Sequence, residues 1–292
     1  MKRSFFGLLF IVALTLGSCS SSDDSTTDVA AGFTIVYEGV TYELTNINAI
    51  RVEDSLGVTG QTEDGNVFIQ VLFNSNGDLG EVRSSVFPGT DTPLPDASTF
   101  YFYSSFYMDF DLVEINEGDQ TFAIQFDGTL FEEEFVIDSP TFTMSGSYNG
   151  PYTEVDPGIP GEGVSAVVNG NTWIAVDDTQ SGGFFSGSDV THNFYSDDQY
   201  SISIESNHDN TVTGTYDFSA TDEVNRIIVT KWDTDAQIAV DLPTTGTLII
   251  EQKNVGPLET EFSGTFTVTA EDTDGSTITV TDGQFYYLYR NY

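Results

Sequence analysis

Along most of this chain hydrophobic and polar residues alternate, in runs of five to nine residues rich in Thr, Val, Ile, Phe and Tyr. A period of two puts successive side chains on opposite faces of an extended backbone, so the pattern predicts half-buried β-strands. The runs are punctuated by Asp64-Gly65, Asn76-Gly77, Asp127-Gly128, Asn169-Gly170, Asp274-Gly275 and Asp282-Gly283. Asx-Gly pairs suit two-residue hairpin turns, whose central positions need positive φ. Beyond the N-terminal segment no long window has helical periodicity, and Ala220 to Val224 has room for one turn. The chain therefore reads as all-β and antiparallel.

Residues 151–163 are rich in Pro and Gly and lack alternation, which marks 149–163 as a linker. It separates two predicted domains, residues 33–148 and 164–292, each a β-sandwich or a small up-and-down barrel, with the sandwich preferred. The halves look like divergent copies of one unit. Val36-Tyr37-Glu38-Gly39-Val40-Thr41-Tyr42 parallels Val167-Val168-Asn169-Gly170-Asn171-Thr172-Trp173, and Phe126-Asp127-Gly128-Thr129-Leu130 parallels Phe262-Ser263-Gly264-Thr265-Phe266. A third match sets Val136-Ile137-Asp138 through Phe142 against Val280-Thr281-Asp282 through Phe285, in the same order.

The first residues carry a different signal. Lys2 and Arg3 precede an apolar stretch from Phe5 to Leu16, too short to span a bilayer, and Leu16-Gly17-Ser18-Cys19 resembles a lipobox. Residues 1–18 are thus expected to be a lipoprotein signal peptide and Cys19 the lipidated first residue of the mature chain, its acyl chains forming a durable membrane anchor. Cys19 is the only cysteine, so disulfides, thiol catalysis and cysteine metal sites are excluded after processing. Residues 19–32, beginning Cys19-Ser20-Ser21-Ser22-Asp23-Asp24, are polar enough to act as a flexible tether.

The Ser-Asp-Asp behind the cysteine resembles the acidic export tag of Bacteroidota surface lipoproteins. The second half, with Val168-Asn169-Gly170-Asn171-Thr172-Trp173 near its start and Thr281-Asp282-Gly283-Gln284-Phe285 near its end, resembles an uncharacterised repeat domain of those lipoproteins. The resemblance implies an outer-membrane, cell-surface location and a fold, and no active site.

Removing residues 1–18 leaves 6 basic against 46 acidic residues, a balance of −40. Such a field repels nucleic acid and anionic headgroups and suits a solvated surface or a cationic partner. The most unusual segment runs from Phe100 to Phe110. Its even positions, Phe100, Phe102, Ser104, Phe106, Met108 and Phe110, predict a core face, and its odd positions place Tyr101, Tyr103, Ser105, Tyr107 and Asp109 on the opposite face of a strand. Exposed tyrosines in a row can stack sugar rings and hydrogen-bond their edges, which makes these three the candidate ligand-binding residues. The C-terminal run Phe285 to Tyr292 repeats the pattern more weakly and suits a closing strand.

Other clusters are weaker. Asp272-Thr273-Asp274-Gly275-Ser276, Asp233-Thr234-Asp235, Asp177-Asp178 and Asp197-Asp198 offer calcium's preferred oxygen ligands without a full loop signature, so hairpin turns are favoured. His192 and His208, the only histidines, flank a Tyr/Ser-rich strand with Asp189 and Asp209 nearby and read as exposed loop residues, with a metal pair or proton relay as the sharper alternative. Glu132-Glu133-Glu134 suits a charge-protected edge strand. No nucleophile elbow, phosphate loop or zincin motif is present. The sequence therefore predicts a non-catalytic surface module that binds a glycan or another extracellular ligand. No cofactor, metal or nucleic acid is expected. A structural or assembly protein of the outer-membrane envelope, with an envelope protein as partner, is the alternative, and a carboxylate-dependent hydrolase the third reading.

Overall fold

A computed structural model describes residues 30–100, 103–157, 161–176, 183–186, 188–196, 199–222 and 224–290. The signal peptide, Cys19, most of the tether, Tyr101, Asp177-Asp178 and Asp197-Asp198 lie outside the described residues. Among these residues the chain is all-β, built from curled sheets that form half-barrels.

The first half contains β1 (Gly32–Tyr37), β2 (Val40–Glu43), β3 (Thr45–Val52), β4 (Ser55–Gln61), β5 (Val67–Asn74), β6 (Leu79–Val86), β7 (Ala97–Ser98), β8 (Met108–Asn116), β9 (Thr121–Phe131), β10 (Thr141–Pro151) and β11 (Thr153–Glu154). One sheet runs β11-β3-β4-β5-β6-β7-β9-β10-β1-β2, with β8 added on β9. The second half contains β12 (Gly163–Val168), β13 (Asn171–Ile174), β14 (Gly183–Ser186), β15 (Asp189–Phe194), β16 (Tyr200–Asn207), β17 (Gly214–Phe218), β18 (Arg226–Asp233), β19 (Ile238–Asp241), β20 (Thr244–Val255), β21 (Glu259–Glu271) and β22 (Thr277–Arg290). It forms two sheets, β13-β12-β22-β21-β20-β17 and β14-β15-β16-β18-β19.

The two halves follow one plan. Each opens with a hairpin (β1-β2, β12-β13), continues through a five-strand meander (β3 to β7; β14, β15, β16, β18, β19), and ends in three long strands (β8-β9-β10, β20-β21-β22). In each, the last long strand returns to pair with the first strand of the hairpin. β17 is the second half's addition. The two opening turns match in detail, with Glu38 and Gly39 at φ 49° and 76° and Asn169 and Gly170 at 50° and 87°. Both central residues with positive φ define the turn whose twist fits a hairpin. Phe126-Asp127-Gly128-Thr129-Leu130 and Phe262-Ser263-Gly264-Thr265-Phe266 fall on the corresponding strands β9 and β21. The third sequence match does not hold: Val136-Ile137-Asp138 lies in the β9–β10 loop, whereas Val280-Thr281-Asp282 lies inside β22.

Closure differs between the halves. In the first, the pair Ser98↔Phe131 joins β7 to β9 and makes the curled sheet continuous. In the second, the two sheets stack instead, with Ile202, Ile204 and Val229 of one facing Leu248, Phe262 and Phe285 of the other in a shared core. Trp173, 1 % exposed, sits between them and donates Nε1–H to the Tyr200 carbonyl at 3.2 Å.

The Pro/Gly stretch carries more structure than a free linker. β10 extends to Pro151, Tyr152 is buried beside Phe122 with ring centroids 6.0 Å apart, and β11 adds a parallel edge to β3. The halves also touch directly. Asn74, fully buried, donates to the Ile174 carbonyl at 3.2 Å, and Ser196 donates to Asp78 at 3.3 Å. The Val176 side chain packs so close to Gly80 that a β-carbon there would lie 2.5 Å from Val176 Cγ1.

Candidate functional site

The tyrosine run is not one strand. Ser104–Phe106 forms a 3-10 turn, entered from Tyr103 in the left-handed region (φ 59°, ψ 51°), and β8 begins only at Met108. The turn breaks the period of two, so the residues expected on one face separate. Tyr103 is 2 % exposed, stacks on Trp232 of the second half with centroids 5.3 Å apart and planes at 26°, and shares a 3.1 Å hydrogen bond with Ser201 Oγ. Burial pushes its hydroxyl up to about 12. Tyr107 is half-buried, edge-on to Phe100 and Phe131. Tyr101 falls outside the described residues. The proposed stacking platform is thereby corrected: Tyr103 and Tyr107 belong to an aromatic plug, with Phe100, Phe131 and Trp232, at the junction of the halves. Extreme aromatic content signals burial as readily as recognition, and here burial wins because each ring finds an apolar partner.

A second feature of the junction is open. A cleft of about 510 Å³ runs along the outer face of β12, β22, β21 and β20 and is roofed by the β3–β4 turn, Val52 to Ser55, of the first half. The pairings Ser165↔Gln284, Thr265↔Gln284 and Ser263↔Tyr286 set these side chains in two rows across the strands. Period-two alternation sends their neighbours Val164, Phe262, Phe266 and Phe285 inward to the core. Four carboxylates stand around the cleft: Glu53 and Asp54 in the roof, Glu162 at the entry to β12 and Glu251 on β20. Glu53 accepts the Gly161 amide with both oxygens at 2.8 and 3.0 Å, tying the roof to the segment that connects the halves. Tyr286 donates its hydroxyl to Glu261 at 2.8 Å, which fixes the ring at the cleft and helps hold Glu261 below the usual carboxylate range, after the larger contribution of the Asn254 amide.

Hydroxyls, one amide, carboxylates and one aromatic ring converging on a concave surface at a domain junction form a typical small-ligand setting. The set can hydrogen-bond a polyhydroxylated chain in both directions, carboxylates accepting and amide or hydroxyl groups donating. Of these residues the sequence drew attention only to Tyr286, within the run Phe285 to Tyr292. For the others the only available signal was their outward parity on strands whose inward positions are strongly apolar.

The remaining candidates become structural. His192 is not a loop residue: it is fully buried in β15, its ring 4.6 Å from Tyr287 and 4.8 Å from Tyr289, and burial drives its pKa down to about 3. His208 is partly buried, with Nδ1 3.3 Å from the Tyr289 hydroxyl. Both histidines thus meet Tyr289 rather than each other. Asp272 is 6 % exposed, and both its oxygens accept from Lys231 Nζ, at 2.9 and 2.7 Å. Burial alone would raise this carboxyl; the ammonium and the Thr273 amide outweigh it and hold it below the usual range. Residues 272–276 form a tight turn closed by Gly275 N–H to the Asp272 carbonyl at 2.9 Å, as the turn reading expected. Glu132-Glu133-Glu134 lies in the loop after β9 rather than on an edge strand, and Glu134 pairs with Arg83 and Ser98.

Among the described residues no three His, Cys, Asp or Glu side chains gather as a metal site, and no helix is long and apolar enough to cross a membrane. No protein family, curated protein or solved structure matches the chain.

Proposed function

We propose that this protein is a non-catalytic binding module, anchored to the outer membrane through lipid on Cys19, and that the cleft between its halves binds a glycan. The location rests on the lipobox-like Leu16-Gly17-Ser18-Cys19 and the acidic residues behind it. The ligand class rests on one observation, the polar lining of a roofed cleft by Ser165, Ser263, Thr265, Gln284 and Tyr286. Four surrounding carboxylates and a chain with 46 acidic residues disfavour anionic polymers. Neutral or amine-bearing glycans fit.

The test is retention of residues 20–292 on a panel of laminarin, mannan and chitosan, with alginate and heparin as anionic controls. Binding to a neutral or amine-bearing member, lost at least tenfold in Gln284→Ala and Tyr286→Ala variants that melt normally, supports the reading. Retention on the anionic polymers alone, or on none, removes it. An envelope protein would then become the expected partner, for which Val255 and Leu258, 58 % and 76 % exposed at the β20–β21 turn, are the natural contact.

A further inference from the structure

The first half carries a trough in the corresponding place, and we infer that it is a second site for the same glycan, so that one chain binds one polymer at two points. The inference rests on the cleft reading above. The trough, about 580 Å³, lies on the outer face of β1, β10, β9 and β8. These are the counterparts of β12, β22, β21 and β20, which floor the cleft.

Register shows how regular it is. Val36, Ser145, Asp127 and Asp109 are successive cross-strand partners in one row, and Thr34, Ser147, Gln125 and Asp111 in the next. Four strands at a spacing of about 4.8 Å make each row roughly 14 Å long, the scale of a short oligosaccharide. The kinds of group are those of the cleft: hydroxyls, a single glutamine and carboxylates, the last here gathered on β8 and β9 as Asp109, Asp111 and Asp127. Thr34 and Ser147 already share a 3.2 Å hydrogen bond, so their hydroxyls stand at one level across the trough.

One row makes the correspondence specific. The hairpin match that pairs Val36 with Val167 sets Thr34 against Ser165, and the ladders carry it across the sheets, from Thr34 to Ser147 and Gln125 in one half and from Ser165 to Gln284 and Thr265 in the other. All six side chains line their respective depressions. Elsewhere the halves have diverged freely, in loop length, in closure and in the β17 addition, so polar side chains along this row are a shared feature of the unit rather than a product of one junction. Asp109 and Asp127 are direct cross-strand neighbours, and like charges so placed oppose the sheet. A ligand whose hydroxyl or amine protons lie between them relieves that repulsion.

Isothermal titration of residues 20–292 with laminarihexaose, mannohexaose and chitohexaose tests this, using Ser145→Phe to fill the trough, Ser263→Phe to fill the cleft, and both together. Phenylalanine is a good strand residue at either position, and each variant is first shown to melt with the wild type. The expected result is two equivalents per chain for the wild type, one for each single variant and none for the double. Polymer affinity should also fall at least tenfold in each single variant, because the second contact of a linked pair is intramolecular. One equivalent in the wild type, lost in Ser263→Phe and untouched in Ser145→Phe, would overturn the second site and leave the cleft standing. No binding of any oligosaccharide by the wild type removes the glycan reading itself, and this inference with it.

Discussion

At the scale of single residues, His192 is the most consequential departure from expectation. Both its ring nitrogens, like the Tyr287 hydroxyl beside it, are buried without a hydrogen-bond partner among the described residues. Its pKa is about 3 in the folded chain against 6.5 for the free side chain. The unfolded chain therefore takes up a proton near pH 6.5 that the folded chain refuses until about pH 3. Stability from this group is complete above pH 6.5 and declines as pH falls toward 3, by about 1.4 kcal/mol per unit. Acidification also relieves the repulsion of the acidic surface, so the raw profile mixes opposing slopes. Comparison with His192→Phe isolates the histidine. Between pH 7 and pH 5 the wild type should lose about 2 kcal/mol relative to the variant in urea denaturation, and equal profiles would show that the ring is solvated or partnered. Sequence could not place this side chain, because a lone histidine in an alternating run fits either face. The polar neighbours Thr191 and Asn193 were the only cue that position 192 points inward.

At the scale of elements, the opening hairpins offer a controlled comparison. The same turn is made by Asn169-Gly170 in one half and Glu38-Gly39 in the other, and the left-handed region favours Asn over Glu. Glu38→Asn should stabilise the first half by about 0.5–1 kcal/mol, read as a higher urea midpoint at unchanged slope. Asn169→Glu should cost more than that gain, because Asn169 Oδ1 also accepts the Thr279 amide at 2.9 Å. Turn chemistry of this kind is local, which is why the all-β class, four of the six Asx-Gly turns and two of the three repeat matches were legible in the chain, whereas Asp127-Gly128 and Asp282-Gly283, also expected as turns, lie inside β9 and β22. The stretch from Phe100 to Phe110 was not. Its alternation is genuine, but Tyr103 adopts positive φ and begins a 3-10 turn, a conformation chosen by the Trp232 ring more than one hundred residues away. Propensity ranked it a strand; long-range packing made it a plug. The cleft was illegible for the same reason, since its roof and floor come from different halves.

At the scale of the whole molecule, the aromatic plug makes the two repeats one mechanical unit, and a prediction follows from Gly80. A side chain there collides with Val176 across the junction, where a β-carbon would lie 2.5 Å from Val176 Cγ1, far closer than the 3.3 Å to the Leu72 carbonyl of its own half. Gly80→Leu should therefore wedge the halves apart with little loss of strand content. The chain's two tryptophans make this visible, because Trp173 lies in the core of the second half and Trp232 in the plug. In a Trp173→Phe background, Trp232 emission should shift to the red in Gly80→Leu at denaturant-free conditions where circular dichroism is unchanged. Thermal unfolding, single in the parent, should split into two transitions. Unshifted emission with a single transition would show that the halves are held by contacts other than this junction. The wedge also moves Val52 to Ser55, the roof of the cleft, away from the floor made by Ser165, Ser263 and Gln284. Ligand binding in the cleft requires the docked arrangement, so a bound oligosaccharide should draw the two transitions of Gly80→Leu back together, by mass action on the closed form. The trough of the first half, built on one sheet, should bind equally well in parent and wedge variant, and that contrast separates a site made by the junction from one made by the repeat.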